Sequence, residues 1–310
     1  MLMFVVRRLS TALPALVGIY TLVFVLLHIV PGDPAMLMIS EGSASREHLE
    51  SLRREIGLDR PLPEQYVGYL SGLLRGDLGR SIRHNRPVSS LIAEFFPYTL
   101  QLTLAGLGLA VLLGLVLGTI AAVHQNRWLD SFSMLVALAG VSIPSFWLGL
   151  MLIFLFSLTL RWLPVTEEAG WQRLVMPALA LGLYSAAVIT RLTRSSLLEV
   201  LRQDYITTAR AKGLATLAVT LRHALRNALI PVVTIIGVEV GHLLSGAVVI
   251  ETVFARPGMG RLIIDSIRFK DFPALQSTIL VVACCYVLTN LVVDVSYGYL
   301  DPRIRTGENV

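Results

Sequence analysis

Asp204–Pro231, DYITTARAKGLATLAVTLRHALRNALIP, is the most basic long break between apolar segments in this chain. Arg210, Lys212, Arg222, Arg226 and His223 all fall in it, and Asp204 is its only acid. Tyr205, Ile206 and Ala209 give its first half an apolar side. Gly213 suits the left-handed turn that follows a helix. Leu217, Leu221, Leu225 and Leu229 then recur at one-turn spacing, with the basic residues largely off that stripe. The spacing predicts two short amphipathic helices joined by a glycine elbow, with Pro231 opening an apolar span. An element of this kind, held outside a bilayer, has the form of a docking handle for another protein.

The surrounding composition supplies the bilayer. Of 310 residues, 55% are hydrophobic and 15% charged, whereas a soluble domain carries about 25% charged residues. Several apolar runs reach the roughly 20 residues needed to cross a hydrocarbon core. These features imply an all-α, polytopic membrane protein. The net charge of +5 does not point to nucleic acid in so apolar a chain. Its information lies in where the positive residues sit relative to the spans. Cys284 and Cys285 are adjacent within an apolar run and imply no disulfide framework.

Six spans are expected, from about Leu9 to Val30, Leu100 to Val123, Ser131 to Leu158, Leu174 to Ile189, Leu229 to Ile250 and Pro273 to Val293. The first follows Arg7-Arg8 and is too long for a signal-peptide core. The third is interrupted by Ser142-Ile143-Pro144-Ser145, which predicts a kink. Residues 35–95 form a mixed-charge segment, expected outside the membrane. It should hold helices from Ser45 to Ile56 and Pro63 to Leu74, a turn at Gly76-Asp77-Leu78-Gly79, and a surface stripe of Val88, Leu91, Ile92, Phe95 and Phe96. Trp162 and Trp171 read as headgroup-level anchors. An outer loop, Glu251–Phe272, contains a tight turn at Arg256–Gly260. An even number of spans, with the arginines from Arg191 to Arg226 on the inner face, places both termini in the cytoplasm. The expected organisation is residues 1–95 (first span and external segment), 96–300 (core of five spans with the handle at 204–231) and 301–310 (cytoplasmic tail).

Glu239 and His242 lie midway along the fifth span, three residues apart and so on one face. An ionised group at that depth costs at least about 2.5–3.5 kcal/mol to insert. Two readings stand: a mutually satisfied pair against a neighbouring helix, and a polar lining of a substrate path. As metal ligands the two are too few. Ser145 joins them as a path candidate, beside a reading as part of the kink. No catalytic or metal-binding residue is identified. His242 and Ser245 share one helix at a spacing poor for a nucleophile and its base, which disfavours an intramembrane enzyme. No repeat of the kind many secondary transporters carry is evident. The absence of GxxxxGK[ST] excludes ATP hydrolysis by a P-loop in this chain.

The opening stretch resembles the cytoplasmic signature loop of type I ABC importer permeases, the binding-protein-dependent family. Thr207, Thr208 and Ala209 stand where Glu-Ala-Ala is frequent, with Thr207 replacing the acid. Gly213 and Pro231 match the glycine and the proline, at a longer gap than the general pattern. Both departures resemble the peptide/nickel subfamily, in which runs like Thr208–Leu214 and Arg226–Pro231 are typical. Pro31-Gly32-Asp33-Pro34, Gly57–Leu62, Pro257–Arg261 and Asp301–Arg305 resemble its other signatures. The resemblance implies one of two homologous permease subunits in a bacterial inner membrane, served by two ATPase subunits that bind ATP and Mg and by an extracytoplasmic substrate-binding protein. It implies ATPase coupling through Tyr205, Ile206, Thr208, Ala209 and Gly213, with no cofactor in this chain. Dipeptides or oligopeptides are the leading substrate expectation; nickel complexes, glutathione and opine-like compounds are the alternatives.

Overall fold

Ile143 and Pro144 both adopt extended backbone, and this pair shapes the middle of the chain. Proline crowds the residue before it out of the helical region. Two successive extended residues then turn the expected kink into a break. In the computed structural model, which describes residues 2–29, 59–165 and 170–300, α4 (Trp128–Ser142) and α5 (Ser145–Thr159) meet at 105°. The second half of α5, Ile153–Thr159, is π-helical.

The other helices are α1 (Leu2–Ile29), α2 (Leu62–Leu74), α3 (Val88–Val123), α6 (Gln172–Leu201), α7 (Asp204–Ala211), α8 (Thr216–Val253), α9 (Met259–Arg268) and α10 (Phe272–Leu300). Five helices are long and apolar enough to cross a membrane, and the α4–α5 pair makes a sixth if it counts as one bent span. The expected helix from Ser45 to Ile56, the Pro31–Pro34 motif and the Asp301–Arg305 motif lie outside the described residues.

Several expected boundaries move. The stripe from Val88 to Phe96 is the start of the α3 span helix, not a separate surface helix. Val88 and Leu91 are fully buried against protein. Pro231 does not open a span; it sits inside α8, which begins at Thr216 and is π-helical over Val219–Ala224. A proline removes one intrahelical hydrogen bond, and the helix continues on both sides of it. The loop expected over Glu251–Phe272 contains α9, whose apolar side buries Met259 and Leu262.

The chain divides into two compact units. One comprises Leu100–Arg256 with the chain from Leu288 onward. Here α6 is the most enclosed helix, packed by α4, α5 and α8. Its contact with α3 is set by glycine. A Cβ on Gly182 would stand 2.5 Å from the carbonyl oxygen of Gly106, so the two backbones touch. Such close approach of small residues is how apolar helices gain packing energy in lipid. Leu102, Met176, Leu243, Ala247 and Ile250 fill the core around this crossing.

The other unit comprises Leu2–Thr99 and Pro257–Val287. Tyr20 and Phe24 of α1 pack on Tyr66 of α2, with ring centroids 5.2 and 5.3 Å apart. The Tyr20 hydroxyl donates to the Tyr66 carbonyl at 3.1 Å. Asp271, at the start of α10, is buried. Its carboxylate accepts the Ser81 hydroxyl and the backbone N–H groups of Ile82 and Arg83, each at 3.1 Å, and that of Ala274 at 3.3 Å. One carboxylate thus caps α10 and ties the 81–83 turn to it.

Candidate functional site

The handle is built from α7 and the start of α8. Asp204 sits in the first turn of α7, where an acid favours the helix dipole, and the Thr208 hydroxyl donates back to the Asp204 carbonyl at 3.0 Å. The helix ends at Gly213, whose φ of +80° places it in the left-handed region. The Gly213 N–H closes the turn on the Arg210 carbonyl at 3.0 Å. A side chain there would meet nothing within 4 Å, so backbone conformation alone demands glycine.

The five handle residues do not share one environment. Ile206 is fully buried in this chain's own core, with Ala122, Leu197, Val219 and Ala228, and Ala209 packs partly against the same cluster. These two seat α7 on the body of the protein. Tyr205, Thr208 and Gly213 are exposed. The Tyr205 hydroxyl accepts a hydrogen bond from the Asn227 side-chain amide at 2.8 Å, which links α7 to α8. The outward surface therefore consists of Tyr205, Thr207, Thr208, Arg210 and Lys212, continuing into Leu214 and Leu217.

The basic residues before the handle also differ from one another. Arg194 of α6 makes a two-pronged ion pair with Asp130 of α4, its Nε and Nη2 2.6 and 2.7 Å from the two carboxylate oxygens. Asp130 is buried and also accepts the Asn126 N–H at 2.9 Å. Planar guanidinium and carboxylate groups match in this geometry. Arg194 is therefore a tie between helices and not a free cation on a membrane face.

Midway along α8, the expected common face of Glu239 and His242 splits. Glu239 is buried and accepts the Ser185 hydroxyl of α6 at 2.5 Å. His242 is exposed and lies flat on Tyr184 of α6, with ring centroids 4.6 Å apart and planes 29° from parallel. The two side chains do not satisfy each other; each finds its partner on α6. Ser145 is half-buried at the first turn of α5, just past the 105° break, and no contact brings it to Glu239 or His242. The sequence reading missed Tyr184 and Ser185. Their signal was a polar pair inside an otherwise apolar run of α6.

Residues 114–306 match the family model described as "Binding-protein-dependent transport system inner membrane component". Residues 1–103 match that of the N-terminal part of such membrane components. The chain is 46% identical over 305 residues to the glutathione transport system permease protein GsiC of Escherichia coli O6:H1, covering 98% of this chain and 99% of that protein. It is 45% identical to its counterpart in Shigella boydii serotype 4 over the same shares. Among solved structures, a crystal structure of an amino acid ABC transporter with histidines aligns with a TM-score of 0.51 at 16% identity, over 69% of this chain and 94% of that one. That likeness concerns the fold alone.

Proposed function

The chain belongs to the binding-protein-dependent transport system inner membrane components and is a permease component of an ABC importer, and on that premise we propose that it passes short peptides of the glutathione class, driven through α7 by a separate ATPase. The substrate reading rests on the 46% identity to a glutathione permease along 98% of the chain. Glutathione is itself a small peptide, so it narrows the peptide expectation. Nothing among the described residues singles out nickel or opines.

The coupling reading rests on how α7 is held. A lever must transmit force to the spans, so it must be seated on them and still leave a face for the motor. Ile206 supplies the seat and Tyr205, Thr208 and Arg210 the face. In this reading α7 and both termini are cytoplasmic, with the arginines inside. ATP and Mg are bound by the two ATPase subunits, a homologous second permease completes the path, and an extracytoplasmic binding protein delivers the solute. This chain supplies no catalysis of its own.

The test is uptake of radiolabelled glutathione and of a dipeptide by cells that carry the complete transporter, with and without this chain. Accumulation of glutathione that depends on this chain is expected. Uptake of the dipeptide alone contradicts the substrate reading. Coupling is tested by Thr208→Cys, which should crosslink to the ATPase subunit; a crosslink confined to phospholipid counts against it.

A further inference from the structure

Four side chains on α6 and α8 form two rungs of different character. In the inner rung the Ser185 hydroxyl donates to the buried Glu239 carboxylate. In the outer rung His242 stacks on Tyr184. The Glu239 carboxyl is thus turned inward and occupied, and among the described residues the His242 ring nitrogens take no hydrogen bond. His242 belongs to an exposed stripe along α8, with Val238, Ser245 and Val249 at spacings of four, three and four. A polar side chain at the middle of a long apolar span is costly against lipid and so faces a wet cavity or another protein.

We propose that His242, held flat by Tyr184, is a solute-contacting, specificity-determining side chain that meets a free carboxylate of a peptide in transit, while Glu239, buried and bonded to Ser185, does not meet the solute. The choice of carboxylate follows from what the outer rung offers. An imidazole N–H and a phenol O–H can both donate, and the one carboxyl group of these four side chains is buried and accepts from Ser185. A zwitterionic peptide therefore finds donors for its anionic end and no exposed carboxylate on either rung for its ammonium. Stacking on Tyr184 removes ring rotation that binding would otherwise have to freeze.

This inference rests on the peptide-permease reading above, and the experiment separates the two. The complete transporter, with partner permease, ATPases and binding protein, is reconstituted in proteoliposomes and supplied with radiolabelled glutathione. His242→Phe keeps the stack and removes the nitrogens. It should lower glutathione uptake about 10-fold or more while binding-protein-stimulated ATP hydrolysis stays within about 2-fold, because the handle is untouched. His242→Gln, which keeps an N–H donor, should recover at least about a third of the uptake. Glu239→Gln, still able to accept from Ser185, should stay near the unsubstituted rate. Unchanged uptake by His242→Phe overturns the contact. Equal loss in the Phe and Gln variants shows that a donor N–H is not what uptake needs, and ATP hydrolysis falling with uptake assigns His242 to the fold; either result overturns it as well. If the unsubstituted transporter accumulates no glutathione, the substrate reading itself fails, and this inference fails with it.

Discussion

Gly182→Ala adds one methyl group where α6 crosses α3. The new Cβ would lie 2.5 Å from the Gly106 carbonyl oxygen and 3.2 Å from its carbon. Ordinary contact begins at 3.4 Å, so the helices must part by 3.4 − 2.5 = 0.9 Å at this point. The opposing atoms are backbone, and no rotamer change relieves the clash. Overpacking of this kind costs about 1–3 kcal/mol. Each kcal/mol shifts Tm by about 2–4 °C in a domain of this size, so the unfolding temperature in detergent should fall by at least about 2 °C. Gly108→Ala is the control, because a Cβ there has nothing within 4 Å and adds only helix propensity. Tyr184 and Ser185 stand two and three residues beyond Gly182, so transport should suffer along with stability. If Gly182→Ala and Gly108→Ala unfold at the same temperature, the backbone contact is not a source of stability and the reasoning fails.

Asp130→Ala strands the Arg194 guanidinium. The loss should stay below the roughly 3–5 kcal/mol of a fully buried pair, because Arg194 keeps 25% of its side chain exposed; thermal unfolding measures it, and Asp130→Leu with Arg194→Met should recover part. Gly213→Val forces a branched residue into the left-handed region at a cost of about 1–2 kcal/mol. It should weaken co-purification of the ATPase while membrane insertion is normal, and unchanged co-purification contradicts the lever. Asp271→Ala leaves the Ser81 hydroxyl and the Ile82 and Arg83 N–H groups without their acceptor, so limited proteolysis should cut the 81–87 turn faster. The Tyr69 phenol is pushed up to about 12, first by burial and second by the Asp271 carboxylate; Asp271→Asn should bring it part of the way down in an ultraviolet titration, whereas no movement argues that burial acts alone. The raised value means that Tyr69 contributes stability fully below its unfolded value near 10, and that this is lost as pH rises towards 12.

Sequence alone determined that the chain is helical, that it is built to cross a membrane, and that Asp204–Gly213 forms a short helix ended by a left-handed glycine. Each of these depends on neighbours within a turn or two and on the summed transfer of side chains out of water, which a linear reading can add up. The same reading put Glu239 and His242 on one face, because helical spacing is all it can see. Which groups those side chains meet was decided only by tertiary structure. Ser185 lies 54 positions from Glu239, Asp130 lies 64 from Arg194, and Ser81 lies 190 from Asp271. A buried polar group must find a partner wherever packing brings one, and packing here turns on glycine contacts such as Gly182 with Gly106 that no periodicity announces. The break at Ile143-Pro144 follows the same logic: proline marked the place, but only the helices packed around it set the bend at 105°.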